Sequence, residues 1–144
     1  MKTVSLPKSV ALLSFGIASA AFTAYGEAFC INYGGRIHVH GTLARQVFPG
    51  PPGYESIARG DTAEIYYVLK IFPPTCIGGN PSDPDEPAIT NIADIQLMLT
   101  GRDQYVFLEH MIGKEIKLSG GLMAARTGHH HTPVLLSEVQ LEAN

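Results

Sequence analysis

EIYYVLKI, residues Glu64 to Ile71, places Ile65, Tyr67, Leu69 and Ile71 on one side of an extended chain and Glu64, Tyr66, Val68 and Lys70 on the other. Side chains of a strand alternate between two faces, so this stretch predicts a half-buried β-strand. The same period recurs on both sides of it. Upstream, Ile37, Val39 and Leu43 alternate with His38 and His40, which gives a strand over about Arg36 to Gln46 with a bend or bulge at Gly41. Downstream, IADIQLML sets Ile95, Leu97 and Leu99 inward and Asp94, Gln96 and Met98 outward. In RDQYVFLEHMIG the residues Tyr105, Leu108 and Ile112 recur at helical spacing, with Asp103 to cap a helix and Gly113 to stop it. Ile116 and Leu118 open a fourth strand, whose Gly120 and Gly121 permit sharp coiling. The fifth, PVLLSEVQLE, changes phase between Leu136 and Val139, as a bulge near Ser137 and Glu138 would produce.

Three strands, a helix and two strands form the chain order of an OB-fold, a mainly β, five-stranded Greek-key barrel with one short helix. A generic α+β sandwich of the same elements is the competing architecture. Two long loops interrupt the expected barrel: FPGPPGYESIARGDTA after the first strand, and the acidic, Pro-rich FPPTCIGGNPSDPDEPAITN after the second.

Ahead of these elements, Lys2 and Lys8 precede an uncharged apolar run from Val10 to about Ile17 and then small residues. That is the pattern of a secretory signal peptide. It predicts a signal over residues 1–26, with cleavage points after Ala20, Gly26 or Ala28 and Gly26 favoured, followed by a single domain over 27–144. The apolar run is shorter than the roughly 20 residues a membrane-spanning helix needs, and Glu27 and Phe29 argue against a lipid anchor at Cys30. Loss of Lys2 and Lys8 takes the formal charge from -3 to -5. No basic cluster is present, which argues against nucleic acid or anionic lipid as a partner. In a periplasmic or secreted setting the two cysteines, Cys30 and Cys76, are expected to form one disulfide.

Two stretches are chemically unusual: PGPPGYES, Pro49 to Ser56, and TGHHHTP, Thr127 to Pro133. On the expected fold these loops flank one face, with Tyr66, Lys70, Gln96 and Met98 between them. Tyr54, Glu55, Ser56, Tyr66, His129, His130 and His131 are therefore the candidate partner-binding residues. For the prolines the plain reading is a stiffened turn with Tyr54 covering one end of the barrel; the functional one is a rigid recognition loop. His38 and His40 share one strand face, and His129 and His131 share another if extended. Together they suggest zinc or copper as the cofactor, the alternative being that the HHH run orders a loop by bonding to carboxylates and carbonyls. Ser56 lacks the following glycine of a nucleophile elbow, so no catalytic residue is assigned. The Asp83, Asp85 and Glu86 cluster departs from calcium-loop spacing and reads as solvated.

GTL at Gly41 to Leu43, the GPPxYES segment, the acid-aromatic strand after it, PxC ending at Cys76, and GHHHTPVLL from Gly128 resemble a family of secreted bacterial proteins known as domain of unknown function 4431. The resemblance covers most of the chain after the signal and departs at Gly53, where a polar residue such as asparagine is expected. It implies export and a shared fold, and brings no activity, catalytic residue or ligand. The combined expectation is a non-enzymatic envelope module that binds a protein or glycan through residues 49–56 and 127–133, in one version an inhibitor or immunity protein. A periplasmic zinc- or copper-binding protein is the alternative.

Overall fold

The computed structural model describes residues 29–142, so the expected signal peptide lies outside the described residues. Six strands, β1 (Ile31–Asn32), β2 (Arg36–Pro49), β3 (Ala63–Gly78), β4 (Ile89–Leu97), β5 (Glu115–Ala124) and β6 (Val134–Leu141), accompany one helix, α1 (Arg102–Glu109). The sheet order is β1-β3-β2-β5-β6-β4, with a further pairing between β3 and β4.

This corrects the expected five-stranded OB-fold barrel to a mostly-β, six-stranded sheet with one helix. The sheet branches at β3, which carries three neighbours along its length instead of the two a plain five-membered ring allows. Ile31 and Asn32 pair in parallel with Ile77 and Gly78, β2 pairs antiparallel with residues 63–70, and β4 takes the other edge from Val68 onward. A two-residue strand has no readable period. It is held by the disulfide between Cys30 and Cys76, whose Cα atoms lie 4.5 Å apart and which adjoins both paired segments. The expected disulfide is thus present.

Alternation places the core correctly on one face. Leu43, Leu69, Ile95, Leu97, Leu118 and Leu136 are all at most 1% exposed and belong to one cluster. Each such side chain contributes about 1.5–3 kcal/mol by leaving water. The strand β3 runs seven residues beyond the predicted end, through Phe72, Pro73 and Pro74. These prolines fall in a register shift between Lys70 and Thr75, where no ladder N–H is required.

The helix is shorter than the spacing predicts. Only Leu108 is buried, while Tyr105 and Ile112 are 39% exposed. Gly101, not Asp103, is the N-cap, and it supplies no side chain; the Gln104 carboxamide instead accepts from the Thr100 N–H at 2.9 Å. Gly113 does adopt a left-handed φ of +79°, but in the turn after the helix. The bulge near Ser137 and Glu138 is present. Between the pairs Ser119↔Gln140 and Gly121↔Ser137 the register shifts, and Glu138 has φ +50°. Gly120 lies within that shift because a Cβ there would stand 2.4 Å from the Ser137 carbonyl oxygen.

Candidate functional site

The turn joining β2 to β3 is built around one carboxylate. Asp61 accepts backbone N–H bonds from Gly53 at 2.7 Å, Glu55 at 2.8 Å and Ser56 at 2.7 Å. These bonds, that from Ser56 foremost, hold its carboxyl below the ordinary carboxylate value. Backbone bonds from Gly50 to Thr62 and from Thr62 to Pro51 close the neck of the turn. Tyr54 takes a left-handed φ of +56° at its bend. Glu55 is exposed and pairs with Arg59 at 2.9 Å, and the Ser56 N–H is used by Asp61.

The segment between β5 and β6 is held by a side chain the sequence pattern misplaces. Gln96 was expected to face solvent and is fully buried. Its Nε2 donates to the His129 carbonyl at 2.9 Å, its Oε1 accepts from the His131 N–H at 2.7 Å, and its own backbone N–H donates to Thr132 Oγ1 at 2.9 Å. Val68 and Leu135, its ladder neighbours on either side, are likewise fully buried yet lie outside the main core cluster. The outer face here is therefore a second, smaller packed layer. The remaining expected members of this face, Lys70 and Met98, are exposed and half-buried respectively, Lys70 pairing with Asp94 at 3.2 Å.

The two unusual stretches meet. His129 Nε2 lies 3.0 Å from the Tyr54 hydroxyl and its Nδ1 lies 2.8 Å from Glu64 Oε1. Nδ1 therefore donates to the carboxylate, and in the neutral tautomer these partners assign, Nε2 accepts from the phenol. His131 Nε2 approaches the other oxygen of Glu64 at 3.2 Å, and its ring stacks on Phe48 with centroids 4.4 Å apart. Tyr66 completes the cluster, its ring 5.4 Å from His131 and its hydroxyl donating to Glu64 at 3.4 Å. Gly128 sits against the Tyr54 ring so closely that a Cβ would fall 2.8 Å from it.

Desolvation pushes the Glu64 carboxyl up, but the hydrogen bonds and charges of His129 and His131 outweigh it, leaving it below its ordinary value. Glu64 is the member sequence reasoning missed. The available signal was an acid on the same strand face as Tyr66, at the rim of the loop that had to meet the histidines. His130 is set apart from this cluster. Its Nδ1 accepts the Arg126 N–H at 2.8 Å, and burial, followed by the neighbouring His129, His131 and Arg126, lowers its pKa.

Zinc or copper binding through His38, His40, His129 and His131 is corrected by this geometry. Among the described residues no group of three or more His, Cys, Asp or Glu side chains is arranged to hold a metal ion. His38 bonds to Glu142 near the opposite end of β2. Phe48, which stacks on His131, is ten residues further along that strand, roughly 33 Å of contour at 3.3 Å per residue. His40 is exposed on the same distant half of the strand, opposite Lys117. The HHH run instead does what the alternative held, ordering a loop through a carboxylate and a buried carboxamide. In the acidic loop, Asp83 accepts from the Asp85 N–H at 2.9 Å and Glu86 from Asn80 at 2.9 Å, so these groups order their own turns.

Residues 94–140 match a family model described as Domain of unknown function (DUF4431). That supports membership over this part of the chain, which carries Gln96 and the three histidines but not Tyr54 or Glu64. No match was found among curated proteins or among solved structures. Among the described residues no helix is long and apolar enough to cross a membrane.

Proposed function

We propose that the protein is an exported, non-enzymatic module that recognises a protein or glycan of the cell envelope through the joined surface of residues 49–56 and 127–133. The observation that carries this reading is the contact of two stretches far apart in sequence, made through Tyr54 and His129 and tied to the sheet by Glu64. Both loops are held in one shape by buried or clamped groups, Asp61 on one side and Gln96 on the other. A surface ordered in advance lowers the entropy lost on binding. The disulfide favours export, because such bonds persist in oxidising compartments. Ser56 is not set against a histidine base: among the described residues none of the three histidines bonds to its hydroxyl, and His129 and His131 are turned to Glu64.

The test is a crosslinked pull-down with the tag-free protein, run in parallel on envelope proteins and on purified envelope glycan. Wild type is compared with a Tyr54→Ala, His129→Ala double variant. Loss of one specific partner from the variant is the expected result. The same partners at the same yield from both proteins would refute the proposed surface.

A further inference from the structure

Along the β2–β3 hairpin and against α1, Arg45, Ile65, Tyr66, Tyr67, Tyr105 and Glu109 line a cleft of about 250 Å³. Its walls are aromatic: the rings of Tyr67 from β3 and Tyr105 from α1 have centroids 5.8 Å apart and are inclined at 39°. Its polar groups come from three elements. Arg45 stands directly opposite Tyr67 in the β2–β3 ladder, and Glu109 is the last residue of α1. Among the described residues none of the Arg45 guanidinium, the Tyr67 hydroxyl and the Glu109 carboxylate is engaged in a hydrogen bond or ion pair. Both charges reach the same phenol, whose pKa is raised by burial and then by Glu109, against the pull of Arg45.

That combination fits a ligand that accepts at one point, donates at another and carries no net charge. An isolated carboxylate would gain Arg45 and meet the charge of Glu109. An ammonium would gain Glu109 and meet that of Arg45. A neutral polyol satisfies both, one hydroxyl accepting from the guanidinium while its neighbour donates to the carboxylate. The C–H face of a pyranose ring is apolar enough to lie against tyrosine rings. The volume falls below the roughly 300–1,000 Å³ of pockets that enclose a drug-sized molecule, which suits a single ring.

We propose that this cleft is a subsite for one neutral pyranose residue of a saccharide, held between Arg45 and Glu109 and walled by Tyr67 and Tyr105. It does not rest on the loop contacts described above: Tyr67 and Ile65 face away from Glu64 on the same strand, and Tyr66 is the one lining residue shared with the histidine cluster.

The test is a titration of the purified protein with glucose, galactose, mannose and N-acetylglucosamine, followed through the ring resonances of Tyr67 and Tyr105. Glucuronate and glucosamine serve as charged counterparts. One neutral sugar is expected to bind with a Kd of about 1 mM or below, as a single-ring contact allows. Arg45→Ala and Glu109→Gln should each weaken it about tenfold, the size of one hydrogen bond to a charged group. His40→Ala, exposed on the distant half of β2, should leave it unchanged. Both substituted side chains are exposed, and Glu109→Gln keeps shape as well as solubility should Arg45→Ala fold poorly. No response at either ring to any neutral sugar would overturn the proposal. So would a sugar whose affinity ignores both substitutions, or tighter binding of glucuronate than of its neutral parent.

Discussion

Replacing Gln96 by methionine removes two hydrogen bonds while nearly preserving volume, and so measures what holds the histidine segment in place. The bonds lost are Nε2 to the His129 carbonyl, 2.9 Å, and the His131 N–H to Oε1, 2.7 Å. At about 1 kcal/mol net each the direct loss is about 2 kcal/mol, and stranding the His131 N–H beneath the loop adds up to about 1 kcal/mol more. The Gln96 backbone bond to Thr132 Oγ1 is untouched, as is that of Thr132 to the Val134 carbonyl, so the anchor at the start of β6 should survive. The damage is therefore local. Amide exchange at His131 should accelerate about 30-fold, the equivalent of 2 kcal/mol. Urea or thermal unfolding should show a global loss no larger than about 3 kcal/mol, a fall of roughly 10 °C for a domain of this size. Partner binding through the loops should weaken with it. Unchanged protection at His131 in a folded Gln96→Met variant would refute the claim that this carboxamide clamps the segment.

Reducing the disulfide releases a constraint between positions 46 residues apart, worth about 4 kcal/mol on the chain-entropy account. Because Cys76 lies thirteen residues beyond the start of β3, exchange should rise first at Ile31, Asn32, Ile77 and Gly78, with the tip at Pro49 to Ser56 affected later. Gly128→Ala should push the Tyr54 ring away from His129, and loss of their nuclear Overhauser contact with little change in Tm is the expected result. For pH, His130 has a folded pKa below its ordinary 6.5, so its contribution is complete above pH 6.5 and is lost as pH falls toward the folded value, with the Arg126 N–H bond. Asp61 and Glu64, both depressed, contribute above their ordinary 3.8 and 4.5 and lose that contribution as pH falls through their folded values. Amide spectra recorded from pH 7 downward should thus change first at residues 126–130 and only under more acidic conditions at 53–61.

The strands facing the core were legible because one side of each is apolar and the other polar, a pattern that survives any uncertainty about neighbours. Gln96 shows where that logic stops. Its face was read correctly, and its exposure was not, because alternation says which side a residue takes and nothing about what covers that side. The sequence did hold the missing signal. Tyr67-Val68-Leu69 and Val134-Leu135-Leu136 are uninterrupted apolar runs, and such runs mark strands buried on both faces. The barrel expectation failed for a different reason, since β1 depends on a covalent bond at Cys30 and not on a pattern. Convergence of the loops could be anticipated only through a presumed fold; Glu64, which joins them, was counted as one outward strand residue among several.

The second packed layer has a consequence for redesign. The His129 carbonyl, the His131 N–H and the Thr132 hydroxyl all bond to the buried Gln96, so lengthening this segment would strip that residue of its partners. The turn on the other hairpin carries no such duty at its tip. Ala58, Arg59 and Gly60 are exposed, and the neck beneath them is fastened by Asp61 and by the Gly50 and Thr62 bonds. A foreign peptide placed between Arg59 and Gly60 extends a closed loop without disturbing what it is fastened to. The protein thus offers one site where sequence can be added freely and one, joined to the same turn through Tyr54, where length is fixed by the bonds to Gln96 beneath it.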